Sequence, residues 1–164
     1  MVPWIGDAQV WRTVLFNPLA VARIVLDWTT DEDVIIGALL HDTVEDTRML
    51  LTQVDIKFGP VVSNIVDCVT HFESYVQSFY KLKLSDHENI SMLLEKADRR
   101  ALLVKVADRM HNMRTIDGHK SEEKKRKIAD ETLKFFVPLA LTLDLPQIDV
   151  DELRVRSEKV LEGR

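Results

Sequence analysis

Residues 99–115 read Arg-Arg-Ala-Leu-Leu-Val-Lys-Val-Ala-Asp-Arg-Met-His-Asn-Met-Arg-Thr. Leu102, Leu103, Val106 and Met110 recur at helical spacing, which predicts a helix from about residue 99 to 113. Asp108 stands inside it, between Ala107 and Arg109. An acid in that apolar setting needs a partner, either an ion pair or a metal. Asn112 lies one turn further on, so the two side chains share a helix face.

The same period governs the chain on either side. Asn17-Pro18 predicts a helix start, since Asn caps and Pro suits the first helical position. Val21, Ile24, Val25 and Trp28 follow as an apolar stripe. Thr30 to Asp33 offer caps for a second helix that delivers His41 and Asp42 at its C-terminal end. A third helix starts at Thr47 or Thr52 and stops near Gly59, and Pro60 opens a fourth. Residues 70–88 have weaker periodicity and predict a loop or an irregular, mobile helix. Helices over about 88–96 and 150–161 are expected, and a long one over 121–144 is kinked by Pro138. No alternating Val/Ile/Thr run predicts a strand. The expected fold is all-α, a compact multi-helix bundle without a sheet.

The 164 residues suit one domain, expected to span 1–164. The net charge of −5 argues against a nucleic-acid partner, which usually meets a basic surface. No apolar run is long enough for a membrane span. Met1 to Asp7 lack the features of a signal peptide. Cys68 is the only cysteine, so no internal disulfide can form; it reads as a small core residue, and a cytoplasmic location is expected.

Residues 39–47 read Leu-Leu-His-Asp-Thr-Val-Glu-Asp-Thr. An imidazole and a carboxylate can both ligate a divalent cation, and adjacency lets one helix end present both His41 and Asp42. A plainer reading is a histidine favoured by the helix dipole. Glu45 and Asp46 can orient a water beside a cation and accept its proton; alone they read equally as an acidic loop. Arg109 and Arg114 can bind phosphate oxygens or pair with surface acids.

Taken jointly, His-Asp-x-x-Glu-Asp-Thr (41–47) and Ala-Asp-Arg-x-His-Asn-Met-Arg-Thr (107–115) resemble the hydrolase domain of the RelA/SpoT alarmone enzymes, within the HD phosphohydrolase superfamily. The likeness continues through 51–59, 65–70 and 131–140. It implies an HD-type helical bundle that binds manganese through two histidines and two aspartates. It implies removal of the 3′-diphosphate from guanosine tetra- or pentaphosphate, giving pyrophosphate and GDP or GTP. On this likeness His41, Asp42 and Asp108 match metal ligands and Glu45 with Asp46 match the water-activating pair. Asn112 and Thr115 match nucleotide contacts, with Arg109 in the same motif.

The chain departs from the family pattern in three places. The remaining ligand is a His before Pro; here it is Asn17, whose amide oxygen binds a hard cation more weakly than imidazole binds manganese. Residues 1–16 are divergent, with only Gln9 and Arg12-Thr13 resembling the family's nucleotide-binding segment. No synthetase domain is expected. The alternative to an alarmone hydrolase is a catalytically degenerate HD domain that binds nucleotide or a protein partner.

Overall fold

The computed structural model of the protein describes residues 8–81 and 85–163. Met1 to Asp7, and the side chains of Gln9, Arg12, Thr13 and His87, lie outside that description. Helices α1 (Ala8–Leu26), α2 (Glu32–Leu40), α3 (Thr43–Asp46), α4 (Leu51–Phe58) and α5 (Pro60–Thr70) form the first half. Helices α6 (Phe72–Lys81), α7 (Asp86–Lys96), α8 (Arg99–Arg114), α9 (Glu122–Glu131), α10 (Val137–Thr142) and α11 (Gln147–Glu162) complete it. Among the described residues there is no strand, as the helical periodicity predicts.

Helix α8 is the centre, packed against α1, α2, α5 and α11. Its inward side, Leu102, Val106, Ala107 and Met110, is buried in one continuous core with Val21, Val25, Val34, Ile65, Phe135, Phe136 and Leu139. Burying such side chains contributes roughly 1.5–3 kcal/mol each relative to exposure. Helix α2 lies unusually close to α5. A methyl group on Gly37 would stand 2.6 Å from Ile65 Cγ2, so only glycine allows this approach.

Local chemistry sets the boundaries. Asp31 accepts from the Asp33 N–H and caps α2. Gly59 takes φ 90°, a conformation that glycine adopts without strain, and Pro60 starts α5 behind it. Ser85 and Glu88 form a reciprocal capping box at α7, and Asp98 caps α8 by accepting from Arg100 N–H at 2.9 Å. A smaller cluster of Val54, Val62 and Val66 receives Val44, Leu40 and Leu51. It holds α3 and α4 against α5.

Four expectations change. Asn17-Pro18 is not a helix start: α1 runs from Ala8 through Pro18. A proline removes one backbone bond, here to the Val14 carbonyl, and cooperative helix on both sides carries the chain across. Residues 72–81 form a helix rather than a loop, because Phe72 and Val76 are buried four residues apart and Tyr75 packs beside them. The long helix over 121–144 is interrupted before Pro138 by a wide π-type turn, Thr132–Phe136. The short helix α3 replaces the acidic loop that the sequence allows at 43–46.

Candidate active site

Helix α2 ends at Leu40, and His41 follows as its C-terminal cap. The imidazole is 1% exposed. Its Nδ1 lies 2.7 Å from the Ala38 carbonyl. A carbonyl only accepts, so Nδ1 carries the proton and donates. In the neutral ring this leaves Nε2 as a bare lone pair.

That Nε2 is fully buried and has no hydrogen-bond partner. Asp42 Oδ2 is 3.0 Å away but outside hydrogen-bonding alignment, and Asp108 Oδ1 is 3.8 Å away. Burial by itself lowers the His41 pKa; Asp42 and then Asp108 oppose it, and the net shift is upward. The pocket therefore favours positive charge at Nε2, whether a proton or a cation. Asp42 is a third exposed and Asp108 less so.

Asp108 is shared between two positive neighbours. Its Oδ2 is 3.6 Å from Lys105 Nζ, which is also 3.7 Å from Glu73 Oε1. The same ammonium lies 5.3 Å from the centre of the Phe72 ring. Sequence reasoning did not single out Lys105. Its signal was present, because a lysine three residues before an aspartate on a helix faces it. His111, one turn from Asp108 on the other side, is half-buried. Burial lowers its pKa, Asp108 raises it, and Arg114 and His41 lower it further, for a net downward shift.

The remaining residues are distributed as follows. Glu45 and Asp46 sit on α3, immediately after the His–Asp pair, and are exposed. Asn112 is half-buried one turn beyond Asp108. Thr115 caps α8 and donates to the His111 carbonyl at 3.0 Å. Arg109 points its guanidinium at Glu131 Oε2 (2.7 Å) and the Ile128 carbonyl (3.3 Å). It stacks on Phe136 at 4.1 Å. Arg114 pairs with Glu152 at 2.8 Å.

Asn17 is inside α1, on the face that carries Val21 and Ile24 inward. Its Oδ1 is buried without a hydrogen-bond partner. The donor chemistry of His41, Asp42 and Asp108, with an unpaired imidazole nitrogen among them, fits a divalent cation. Among the described residues, however, no group of three or more His, Cys, Asp or Glu side chains is arranged to hold a metal ion.

Fold and site together define a class, an all-helical domain that presents a buried histidine and its neighbouring aspartate to an aspartate on a second helix. Comparison with known proteins narrows it. The chain belongs to the HD domain family, whose profile matches residues 11–145. It is 39% identical over 144 residues to the GTP pyrophosphokinase rsh of Brucella ovis, covering 85% of this chain and 19% of that protein. It is 38% identical over 141 residues to the guanosine-3′,5′-bis(diphosphate) 3′-pyrophosphohydrolase of Haemophilus influenzae, covering 80% of this chain and 19% of the relative. The chain thus spans about a fifth of these curated relatives. The solved structure of a metazoan ortholog of SpoT that hydrolyses ppGpp superimposes with a TM-score of 0.54 at 25% identity. That match covers 92% of this chain and 80% of the other. These matches bear out the resemblance to the RelA/SpoT hydrolase domain. HD hydrolases depend on a divalent metal. Among the described residues no helix is long and apolar enough to cross a membrane.

Proposed function

We propose that this protein hydrolyses the 3′-diphosphate of guanosine tetra- or pentaphosphate, releasing pyrophosphate and GDP or GTP. The observation that carries the reading is the buried Nε2 of His41, which faces the carboxylates of Asp42 at 3.0 Å and Asp108 at 3.8 Å. The relatives named as 3′-pyrophosphohydrolases support the choice of substrate.

His41, Asp42 and Asp108 would hold a divalent cation, with manganese as the proposed ion. Such an ion supplies Lewis-acid polarisation of a phosphoryl oxygen and lowers the pKa of water. Glu45 and Asp46, exposed on the next turn, accept the proton of the attacking water. Water adds to phosphorus, the bond to the ribose 3′ oxygen breaks, and that oxygen takes a proton. Asn112 and Thr115, at the open end of α8, contact the nucleotide. Lys105 holds one oxygen of Asp108 so that the other faces His41. Arg109 contributes through the Glu131 pair and the Phe136 stack that fix α8; a direct nucleotide contact would require it to leave both. A guanine nucleotide substrate and a single cysteine suit the cytoplasm.

The test is pyrophosphate release from guanosine tetraphosphate with manganese, in wild type and Asp108→Ala. Turnover in wild type that vanishes in Asp108→Ala is the expected result. No turnover in wild type, with the nucleotide still bound in calorimetry, would overturn hydrolysis in favour of a binding domain. Asn17 at a ligand position is the observation that favours this second reading.

A further inference from the structure

We infer that Glu152 is a positioning residue: carried on α11, it fixes through Arg114 the end of α8 on which Asn112 and Thr115 stand. The inference rests on the function proposed above and deepens it. It adds a residue outside the matched HD profile, which ends at residue 145.

Helix α11 packs against α8 and α9 and buries Val150 and Leu153. Asp149 and Glu152, one turn apart, both reach the ends of earlier helices. Asp149 Oδ2 accepts from Trp28 Nε1, just past α1, at 2.8 Å. Glu152 receives Arg114, the last residue of α8, in two parallel bonds. Arg114 Nε donates to Oε1 at 2.9 Å and Nη2 to Oε2 at 2.8 Å. Arg156 Nε, one turn further along α11, donates to the same carboxylate at 2.7 Å and steadies it.

A bidentate guanidinium–carboxylate pair fixes orientation as well as distance. Such fixing matters most at a helix end, where the last carbonyls lack amide partners and the turn frays. Thr115 closes this turn: its N–H and its hydroxyl donate to the His111 carbonyl at 3.1 and 3.0 Å. Asn112 belongs to the same turn, and Arg114 adjoins Thr115. Both proposed nucleotide contacts therefore stand on the turn that Glu152 tethers.

The tether also decides where the Arg114 charge sits. Asp149 and Asp27 join Glu152 in attracting it. A direct contact from Arg114 to a phosphate would have to compete with three carboxylates, which leaves positioning as its role.

The experiment compares the whole chain as wild type, Glu152→Ala, Arg114→Met, their double variant and Arg114→Lys. Three quantities are read at a temperature where every variant is folded. They are pyrophosphate release from guanosine tetraphosphate with Mn²⁺, binding of that nucleotide in an Asp46→Asn background, and amide hydrogen exchange. Glu152→Ala and Arg114→Met should each raise KM and nucleotide Kd by roughly fivefold, with kcat and Mn²⁺ affinity little changed. The double variant should be no worse than either single one, because both remove the same tether. Arg114→Lys keeps the charge but lacks the fork, and should resemble Arg114→Met. The Thr115 and Gly118 amides should exchange faster in Glu152→Ala. A rise in KM with Arg114→Met but not with Glu152→Ala shows a direct nucleotide contact and overturns the inference. Lower melting temperatures with KM, Kd and exchange unchanged overturn it too, and both outcomes leave the proposed hydrolysis standing. No turnover in wild type, with nucleotide binding still weakened by both variants, removes hydrolysis and supports the tether. Absence of nucleotide binding overturns both.

Discussion

Replacing Gly37 by alanine sets two effects of opposite sign against each other. Alanine is the better helix former by about 1 kcal/mol in a helix interior. Against this, the new methyl would lie 2.6 Å from Ile65 Cγ2 and 3.3 Å from Ile65 Cβ. Ile65 is fully buried, and its Cγ2 is bonded to the β carbon, so it cannot swing clear. Overpacking of this kind costs about 1–3 kcal/mol. The clash wins, and Gly37→Ala should destabilise by a net of up to about 2 kcal/mol. That corresponds to a melting temperature lower by up to about 8 °C for a domain of this size. Because α2 ends at His41, pushing it from α5 should also weaken Mn²⁺ binding. The assay is a double-mutant cycle with Ile65→Ala, read by urea unfolding. Ile65→Ala alone should cost about 2–5 kcal/mol, and less in the Gly37→Ala background, where the new methyl fills part of the void. A stabilised Gly37→Ala, or costs that simply add, would refute the close-approach argument.

Three further outcomes are expected. Hydrogen bonds from Arg114 outweigh partial burial and, with those from Arg156, hold Glu152 down to about 2. A lowered carboxylate pKa contributes stability above the ordinary glutamate range that is lost as pH falls towards 2, so Glu152→Gln should flatten the acid limb of unfolding between about pH 5 and 2, with a loss at neutral pH of about 1–2 kcal/mol after solvent screening. Arg109→Met leaves Glu131 unpaired and Phe136 uncovered; it should lower the urea midpoint by the equivalent of about 2–3 kcal/mol. Arg109→Lys should fall between, and a change in KM with stability intact would instead show a direct nucleotide contact. Ser85→Ala removes the α7 capping box and should cost about 1 kcal/mol in thermal unfolding, with pyrophosphate release unchanged at temperatures where the protein stays folded.

The sequence by itself determined the elements whose cause is local. The four-residue spacing of Leu102, Val106 and Met110 specifies α8, and Gly59 with Pro60 punctuates the chain by backbone freedom. The adjacency of His41 and Asp42 at a helix end was legible for the same reason. Other features depended on neighbours far along the chain. Phe72 and Val76 make α6 a helix because they meet the Phe135–Phe136 region of the core, which no local window contains. Pro18 reads as a helix start until helix on both sides outweighs one missing hydrogen bond. Arg109 reads as a phosphate ligand or an ion-pair partner until Glu131, on α9, stands 2.7 Å away and decides for the pair. Asn17 reads as a cap until burial leaves its oxygen unpaired. Local spacing decides what a segment can form, but the partner of a buried charge or amide is chosen by packing, because desolvation makes that partner obligatory only once the helices have closed around it.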